Sequence, residues 1–524
     1  MTEYIQKKLS DKAWARWTVM FIVSFTMMCG YFVTDVMAPL ESLLTSSERT
    51  VYFTDGTSMS ADTLVARVRQ ANALTGNSAV PTAESVAPGQ VFELVDEAAE
   101  AAEPGAVVSR VVDSTIEGKG WTSTEYGFFS GAYGYINVLL LMLFFGGLIL
   151  DKMGVRFTGV MSTGLMVAGA LLKWYALRTD FGDSQLFGMH AQVVWASLGF
   201  SIYGVGCEIA GITVSKVIVK WFTGRELALA MGLQVGMARI GTAAALGASL
   251  PVARALGDVS GSVLLGVLAL CIGLIAYLVF CVMDKKEDAS AQATAAAADK
   301  EEGFRLKDLG VIFTSRGFWL ITLLCLMFYA GVFPFIKFAT KLMIYKYAVP
   351  ETLAGLIPAM LPFGTILLTP LFGTLYDRIG RGATLMVIGS VLLTLVHVLF
   401  AMPLFEVWWF AVIVMVVLGI AFALVPSALW PSVPKIIPLK QLGSAYALIF
   451  YIQNIGLAFV PALIGWVIND FATLTDAGGH IVGYDYTAPM CIFALFGICA
   501  IVLSLVLLRE DHRRHYGLEE ANIK

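Results

Sequence analysis

Charge is scarce in this chain of 524 residues, of which only 14% are Asp, Glu, Lys or Arg, against about 25% in soluble domains. The seven cysteines all fall within apolar stretches and form no Cys-x-x-Cys pair, which argues against a disulfide framework and a cysteine-based metal site. No nucleophile–base pair or metal-ligand cluster is evident, and a net charge of -4 provides no basic surface for nucleic acid. We therefore expect neither an enzyme nor a nucleic-acid-binding protein, and no cofactor or metal.

Hydrophobic residues make up 58% of the chain, and they are gathered into long stretches. Each stretch is long enough to cross a hydrocarbon core of about 30 Å as a helix. The pattern predicts an all-α protein with twelve transmembrane helices in the lipid bilayer. The stretches cover residues 17–40, 125–150, 157–177, 190–219, 227–250, 259–283, 317–345, 351–375, 382–402, 405–430, 440–468 and 487–508.

Basic residues are concentrated in both tails and in alternate short loops. The N-terminal tail carries Lys7, Lys8, Lys12 and Arg16, whereas the opposite loops are poor in Lys and Arg. Because such basic segments stay on the cytoplasmic side, we expect both termini to face the cytoplasm.

A short charged loop occurs twice, after the second and after the eighth stretch. Gly-Leu-Ile-Leu-Asp-Lys-Met-Gly-Val-Arg contains Asp151 and Arg156, and Gly-Thr-Leu-Tyr-Asp-Arg-Ile-Gly-Arg contains Asp377, Arg378 and Arg381. The two aspartates are 226 residues apart, which indicates two duplicated six-helix bundles around a midplane site. We expect both loops to latch the bundles by charge and to favour the inward-closed state.

The repeat divides the chain into bundles, tails, a linker and one long insertion. The insertion carries twelve acidic and five basic residues, and short helices are expected at Asp62–Leu74 and Val91–Ala102. It could be a cap domain or a docking surface for an accessory partner; a tolerated loop insertion is the alternative. The expected segments are a tail at 1–16, a bundle at 17–283 with an extracytoplasmic insertion at 41–122, a linker at 284–316, a bundle at 317–508 and a tail at 509–524.

Two ionisable residues lie near the predicted bilayer midplane. Glu208 is 12 residues before Lys220, at one helix end, and Arg239 is 12 residues after Leu227, where the next helix begins. Each is therefore roughly 18 Å from the same membrane face. A charge at that depth costs at least ~2.5 kcal/mol and needs a partner or a ligand. Glu208 could accept a substrate ammonium and Arg239 clamp a carboxylate, or the two could form a structural ion pair.

Asp35 and Lys337 form a second charged set. They lie 18 and 20 residues into the first and seventh stretches, near the outer end of the first helix of each half. An Asp35–Lys337 contact could close the external side. The alternative is that both side chains reach the outer interface.

Polar and aromatic residues predict the rest of a substrate cavity. They could hydrogen-bond a peptide backbone and stack on side chains, although each alone could equally be a packing residue. The candidates are Tyr133, Tyr135 and Asn137 on the second stretch, and Trp430, Tyr446, Gln453 and Asn454 on the tenth and eleventh.

Several sequence blocks in both halves resemble a known family. The two charged loops are similar to the loop signature of the major facilitator superfamily. Further blocks resemble its branch that includes the animal lysosomal dipeptide transporters. These blocks are KWFTGRELALAMGLQVGMARIG at 220–241, FYAGVFPFI at 328–336, ALWPSV at 428–433, QLGSAY at 441–446 and QNIGLA at 453–458.

The resemblance implies a monomeric carrier that moves dipeptides with free ends by facilitated diffusion. The charged membrane residues of the branch fall on Glu208 and Arg239. The chain departs from the branch in its long 41–122 segment and in lacking an evident acidic dileucine sorting signal. We therefore expect a bacterial cytoplasmic membrane, with the lysosomal membrane as the alternative.

The sequence is also compatible with other functions. An organic-anion or monocarboxylate carrier would need Arg239 but not Glu208 as a ligand. A proton-coupled symporter is a further alternative, although the first stretch reads Gly-Tyr-Phe-Val-Thr-Asp and lacks the Glu-x-x-Glu-Arg motif of proton-coupled peptide transporters. A membrane sensor that uses the 41–122 segment is the alternative outside transport.

Overall fold

The computed structural model describes residues 9–75, 80–95, 106–222, 226–292, 309–438, 441–475 and 481–521. These ranges contain eleven helices that are long and apolar enough to cross a membrane. The helices are α1 Ala13–Asp35, α2 Glu41–Thr45, α3 Ala61–Thr75, α4 Ser123–Leu139, α5 Met142–Arg178, α6 Ala191–Phe222, α7 Leu227–Leu256, α8 Ser260–Gln292, α9 Leu309–Thr314, α10 Arg316–Tyr347, α11 Glu351–Ala354, α12 Leu356–Ile379, α13 Gly382–Ala401, α14 Trp408–Ile436, α15 Leu442–Val467 and α16 Thr487–Arg514.

Helix α5 accounts for the difference between eleven long helices and twelve crossings. Its 37 residues would extend ~55 Å, nearly twice the hydrocarbon thickness. Gly154 interrupts it with φ 77° and ψ 172°, a conformation that favours glycine. The part before Gly154 continues α4 after a break at Leu141, which has φ 53°. Together these two pieces form the second crossing, and the rest of α5 forms the third. The predicted twelve-helix fold is confirmed.

Close helix contacts between the two halves are made through small residues. A Cβ atom on Gly127 of α4 would lie 2.8 Å from the Cα of Gly465 in α15, and one on Gly134 would lie 2.8 Å from the Cβ of Ala458. Small residues of this kind let helix backbones approach closely in a membrane. The first of these contacts lies toward the end of the bundles that carries the insertion, which we call the outer end.

The insertion contains a four-stranded antiparallel sheet of β1 Arg49–Phe53, β2 Ser58–Ser60, β3 Val91–Val95 and β4 Val107–Glu117, in the order β2-β1-β4-β3. Helix α3 packs on it around a separate core that includes Phe53, Leu64 and Val112. The helix expected at Asp62–Leu74 is confirmed by α3. Two hairpins elsewhere contain β5 Gln185–Leu186, β6 Met189–His190, β7 Thr473–Thr475 and β8 Ile481–Tyr484.

The structure differs from the sequence-based expectations in the insertion and at the start of the linker. The helix expected at Val91–Ala102 is wrong over Val91–Val95, because these residues pair with β4; residues 96–102 lie outside the described ranges. The all-α description therefore holds for the membrane part and not for the insertion. Helix α8 extends to Gln292, beyond the expected bundle boundary at 283, and residues 293–308 of the linker also lie outside the described ranges.

The insertion contacts both bundles at the outer end. Tyr52 donates from its hydroxyl to Glu351 of the C-terminal half at 2.8 Å. The guanidinium of Arg254, at the end of α7, lies 4.6 Å from the Tyr52 ring and donates to Asp113 at 2.5 Å. In this conformation the insertion therefore bridges the two halves by direct contacts at the outer end.

Candidate functional site

A cavity of about 110 Å³ lies between the two bundles. Helices α1, α4 and α6 of the first bundle and α10 and α15 of the second contribute to its wall. Three charged residues therefore share one mainly apolar chamber with aromatic and amide side chains. The lining residues are Tyr31, Thr34, Asp35, Ser130, Tyr133, Glu208, Phe333, Pro334, Lys337, Gln453, Leu457 and Pro461.

Glu208 projects from α6 into this cavity. The Tyr133 hydroxyl donates to its Oε1 atom at 2.8 Å. No Lys or Arg of the described ranges lies within ion-pair distance of its carboxylate. The glycines around it allow this position, since a Cβ atom on Gly206 would lie 2.5 Å from the carbonyl oxygen of Ser162 in α5. The carboxylate thus has one neutral donor and faces open space.

Arg239 projects from α7 into a group of aromatic rings. Its guanidinium carbon lies 6.0 Å from the ring centre of Tyr31, 5.4 Å from that of Phe333 and 5.3 Å from that of Phe422. Contacts of this kind contribute about 0.5–2 kcal/mol each. Among the described residues no carboxylate lies within ion-pair distance of Arg239. The alternative of a direct Glu208–Arg239 ion pair is therefore not found in this conformation.

The rings of Tyr31 and Phe333 connect Arg239 to the cavity wall. Both rings line the cavity, whereas Arg239 does not. Arg239 is half-buried and lies beside two of the rings that line the cavity. Tyr31 was not predicted as a site residue, because nothing in its local sequence distinguishes it from a packing tyrosine.

Asp35 and Lys337 form an ion pair across the two halves. The Lys337 ammonium lies 2.6 Å from Asp35 Oδ1 and donates to the Thr34 carbonyl oxygen at 2.9 Å. The backbone oxygen of Lys337 accepts from the Tyr126 hydroxyl at 2.8 Å. Both charged residues line the same cavity as Glu208. Asp35, Lys337 and Glu208, which the sequence placed in two separate sets, therefore share one chamber.

A fifth charged residue of this region was not predicted from the sequence. Lys173 of α5 is fully buried, donates to the Val33 carbonyl oxygen at 2.9 Å and lies 4.6 Å from the centre of the Phe200 ring. It occurs within the third apolar stretch. The rule that singled out Glu208, an ionisable residue inside a membrane span, applies to it equally.

The three predicted residues of α4 separate into different environments. Tyr133 lines the cavity. The Tyr135 ring packs instead against Phe128 and Phe459, with ring centres 5.2 and 5.9 Å away. Asn137 is buried and donates to the backbone oxygen of Tyr133 at 3.4 Å. Residues two apart on a helix point in nearly opposite directions, which explains the divergence of the two tyrosines.

Of the four predicted residues in the second half, only Gln453 lines the cavity. The Trp430 indole donates to the Tyr329 hydroxyl at 3.1 Å, and the Tyr446 hydroxyl donates to the Trp430 backbone oxygen at 3.1 Å. Asn454 is buried and donates to a backbone oxygen within its own helix at 3.0 Å. Trp430, Tyr446 and Asn454 thus lie outside the cavity wall in this conformation.

The first charged loop makes ion pairs within its own bundle. Asp151 pairs with Lys216 of α6 at 2.6 Å. Arg156 pairs with Asp288 at 3.0 Å and with Asp284 at 3.8 Å, both in α8.

In the second loop, Arg378 and Arg381 are exposed, and the Arg381 backbone N–H donates to the Glu519 carbonyl oxygen at 3.1 Å. Asp377 is half-buried. The expected latch between bundles remains a prediction for another conformation.

Comparison with known proteins identifies the family. The sequence profile of the Major Facilitator Superfamily matches residues 106–345 and 335–522. The lysosomal dipeptide transporter MFSD1 of Homo sapiens is 29% identical over 406 residues, covering 75% of this chain and 80% of that protein. The protein of the same name from Bos taurus is 28% identical over 358 residues, covering 66% of this chain and 72% of that protein.

Solved structures agree on the fold. The nucleoside transporter NupG superposes with a TM-score of 0.59 at 13% identity, covering 94% of this chain and 98% of that chain. A bacterial homologue of the human lysosomal transporter Spinster, in an inward-facing and occupied conformation, gives 0.58 at 10% identity, covering 94% and 97%.

Proposed function

Because the chain belongs to the Major Facilitator Superfamily, we propose that it carries dipeptides across a membrane by alternating access, as a uniporter. It is a multi-pass membrane carrier and not an enzyme. The proposal of a dipeptide as substrate is based on the relatives named as dipeptide transporters and on the charged groups around the cavity.

The observation that carries the proposal is that two opposite charges near the cavity, Glu208 and Arg239, lack ion-pair partners among the described residues. Glu208 faces the cavity with only the Tyr133 hydroxyl as a donor. Arg239 packs against Tyr31, and in the described part of the chain neither charge has an ion-pair partner. A zwitterion with its charges several ångströms apart would compensate both.

In this proposal Glu208 binds the amino end of the dipeptide and Arg239 its carboxylate. Guanidinium groups bind carboxylates through two parallel hydrogen bonds. Tyr31 or Phe333 must turn aside for Arg239 to reach the substrate. The substrate side chains would face Gln453 and Ser130, whose small polar groups impose little selectivity.

The transport cycle requires the outer contacts to break. Asp35–Lys337 and Tyr52–Glu351 connect the halves in the conformation described here. We propose that both open when the carrier faces outward and that the Asp151 and Arg156 loop, with Asp377, Arg378 and Arg381 of its repeat, then closes the opposite side. The Lys337 ammonium is bound inside the cavity, which favours a gate over a side chain that reaches the outer interface.

Location and assembly are parts of the same proposal. We place both termini in the cytoplasm and the carrier, as a monomer, in a bacterial cytoplasmic membrane. The relatives are named as lysosomal proteins, which keeps a lysosomal membrane as the alternative. The insertion could bind an accessory partner through strand β3, which lies at the edge of its sheet.

A binding assay tests the substrate class. The purified protein is heated with a dipeptide, with its N-acetylated and amidated forms, with free amino acids and with oxalate. Free dipeptide should raise the melting temperature, and blocking either end should abolish the effect, since stabilisation follows ligand concentration over Kd.

Two variants and a control sharpen this assay. Glu208→Gln should remove the dependence on the free amino end, and Arg239→Gln the dependence on the free carboxylate. Glu117→Gln, in an ion pair within the insertion, should behave like the wild type. Stabilisation by small carboxylates alone would overturn the dipeptide proposal in favour of an organic-anion carrier.

A flux assay separates uniport from proton coupling. Proteoliposomes are loaded with unlabelled dipeptide and supplied with labelled dipeptide at equal pH on both sides. A uniporter should exchange label without a proton gradient and should not accumulate dipeptide when a gradient is imposed. Accumulation driven by the gradient would instead identify a proton-coupled symporter.

A further inference from the structure

The C-terminal end of helix α1 is bound by two lysines, one from each bundle. Lys173 of α5 donates to the carbonyl oxygen of Val33, and Lys337 of α10 donates to that of Thr34, both at 2.9 Å. The last four carbonyls of a helix lack intrahelical partners and carry a partial negative charge. Asp35, the last residue of α1, adds a carboxylate at the same place.

The two lysines differ in their relation to the boundary between bundles. Lys337 reaches across it, whereas Lys173 belongs to the same bundle as Asp35. If the outer end opens, Lys337 withdraws and leaves the Asp35 carboxylate, only 8% exposed in the closed conformation, without its ionic partner. Leaving one member of a buried ion pair unpaired is strongly unfavourable.

The Lys173 ammonium has N–H donors that make no hydrogen bond to a described residue in the closed conformation. Its ammonium carries three N–H groups. Within the described ranges only the Val33 carbonyl accepts from it, and its other close neighbours are the rings of Phe200 and Tyr203, 4.6 and 5.8 Å away. Val33 lies within one helical turn of Asp35, so the Lys173 ammonium and the Asp35 carboxylate lie at the same end of α1.

We propose that Lys173 is a positioning residue that becomes the partner of Asp35 when Lys337 withdraws, so that the carrier can open outward. The inference rests on the alternating access proposed above, but not on the identity of the substrate. In the closed state Lys173 holds the end of α1; in the open state it also neutralises Asp35.

The test measures outward opening directly. Nitroxide labels introduced as unnatural amino acids at Leu256 and Leu353, both exposed at the outer end on opposite halves, report the distance between the bundles by pulsed electron spin resonance. Lys173→Met should reduce the long-distance population ~10-fold, equivalent to 1.4 kcal/mol. Lys173→Arg, which keeps the charge, should stay within ~3-fold of the wild type.

A double-variant cycle separates this role from a packing role. In an Asp35→Asn background, Lys173→Met should change the long-distance population little, because no carboxylate remains to be paired. Lys346→Met is the matched control: Lys346 donates to the carbonyls of Phe400 and Met402, inside one bundle. It should leave the distance distribution unchanged.

Several outcomes would overturn the proposal. An unchanged long-distance population in Lys173→Met is one, and an equal reduction with and without Asp35 is another. A wild-type protein that never populates the long distance would contradict it as well. If Lys173→Met does not fold, Lys173→Gln removes the charge and keeps a donor. Because the distances need no substrate, a wrong substrate assignment would leave this result intact.

Discussion

Tyr52 offers the sharpest test of how the insertion controls the carrier. Its hydroxyl donates to Glu351 at 2.8 Å, across the boundary between the halves. Tyr52→Phe removes this hydroxyl and keeps the ring, which remains packed under Arg254. A hydrogen bond to a charged group contributes about 1.5–3 kcal/mol. Since the bond can exist only while the outer end is closed, its loss should raise the outward-open fraction ~10- to ~100-fold.

Distance measurement between labels at Leu256 and Leu353 checks this prediction. The long-distance population should grow in Tyr52→Phe relative to the wild type. Tyr277→Phe is the matched control, because the Tyr277 hydroxyl donates to the Val155 backbone oxygen at 3.0 Å within one bundle. The control should lower the melting temperature without changing the distances. Unchanged distances in Tyr52→Phe, or an equal change in the control, would refute a role of the insertion in closing the carrier.

Three further predictions concern the cavity and the boundary between bundles. Glu208→Gln should weaken dipeptide binding ~10- to ~100-fold in calorimetry, since the charge-assisted hydrogen bond to the ammonium is lost. Arg239→Lys should impair binding more than its conserved charge suggests, because Lys cannot present a bidentate fork; undiminished affinity would contradict a carboxylate clamp. Gly465→Val should favour the outward-open state in the distance assay, because a Cβ atom there would lie 2.7 Å from the Cα of Gly127 in the closed state.

The membrane helices were predictable because their signal is strong and local. Long apolar runs and the duplicated loop give the number and arrangement of crossings. The breaks within the helices were harder to predict. Leu141 adopts φ 53° inside an apolar run, so packing and not local propensity interrupts the second crossing there. The strand β3 was mistaken for a helix because its pairing with β4 is a tertiary contact that the local pattern does not show.

The charged residues of the site were predictable as a class but not in their contacts. Depth in the membrane singled out Glu208, and it faces the cavity. Depth could not reveal that Arg239 packs among rings from three helices. Nor could it show that Asp35 and Lys337 share the chamber, since this depends on how the two bundles meet. Lys173 was overlooked although the same depth argument applies to it.

In the proposed mechanism, Glu208 and Arg239 together select a dipeptide with two free ends. The most direct measurement is counterflow of a labelled dipeptide into proteoliposomes, with unlabelled competitors that are free, N-acetylated or amidated. We expect competition by the free dipeptide alone in the wild type, and loss of counterflow in both Glu208→Gln and Arg239→Gln. Equal competition by the blocked peptides, or full counterflow in either variant, would contradict it.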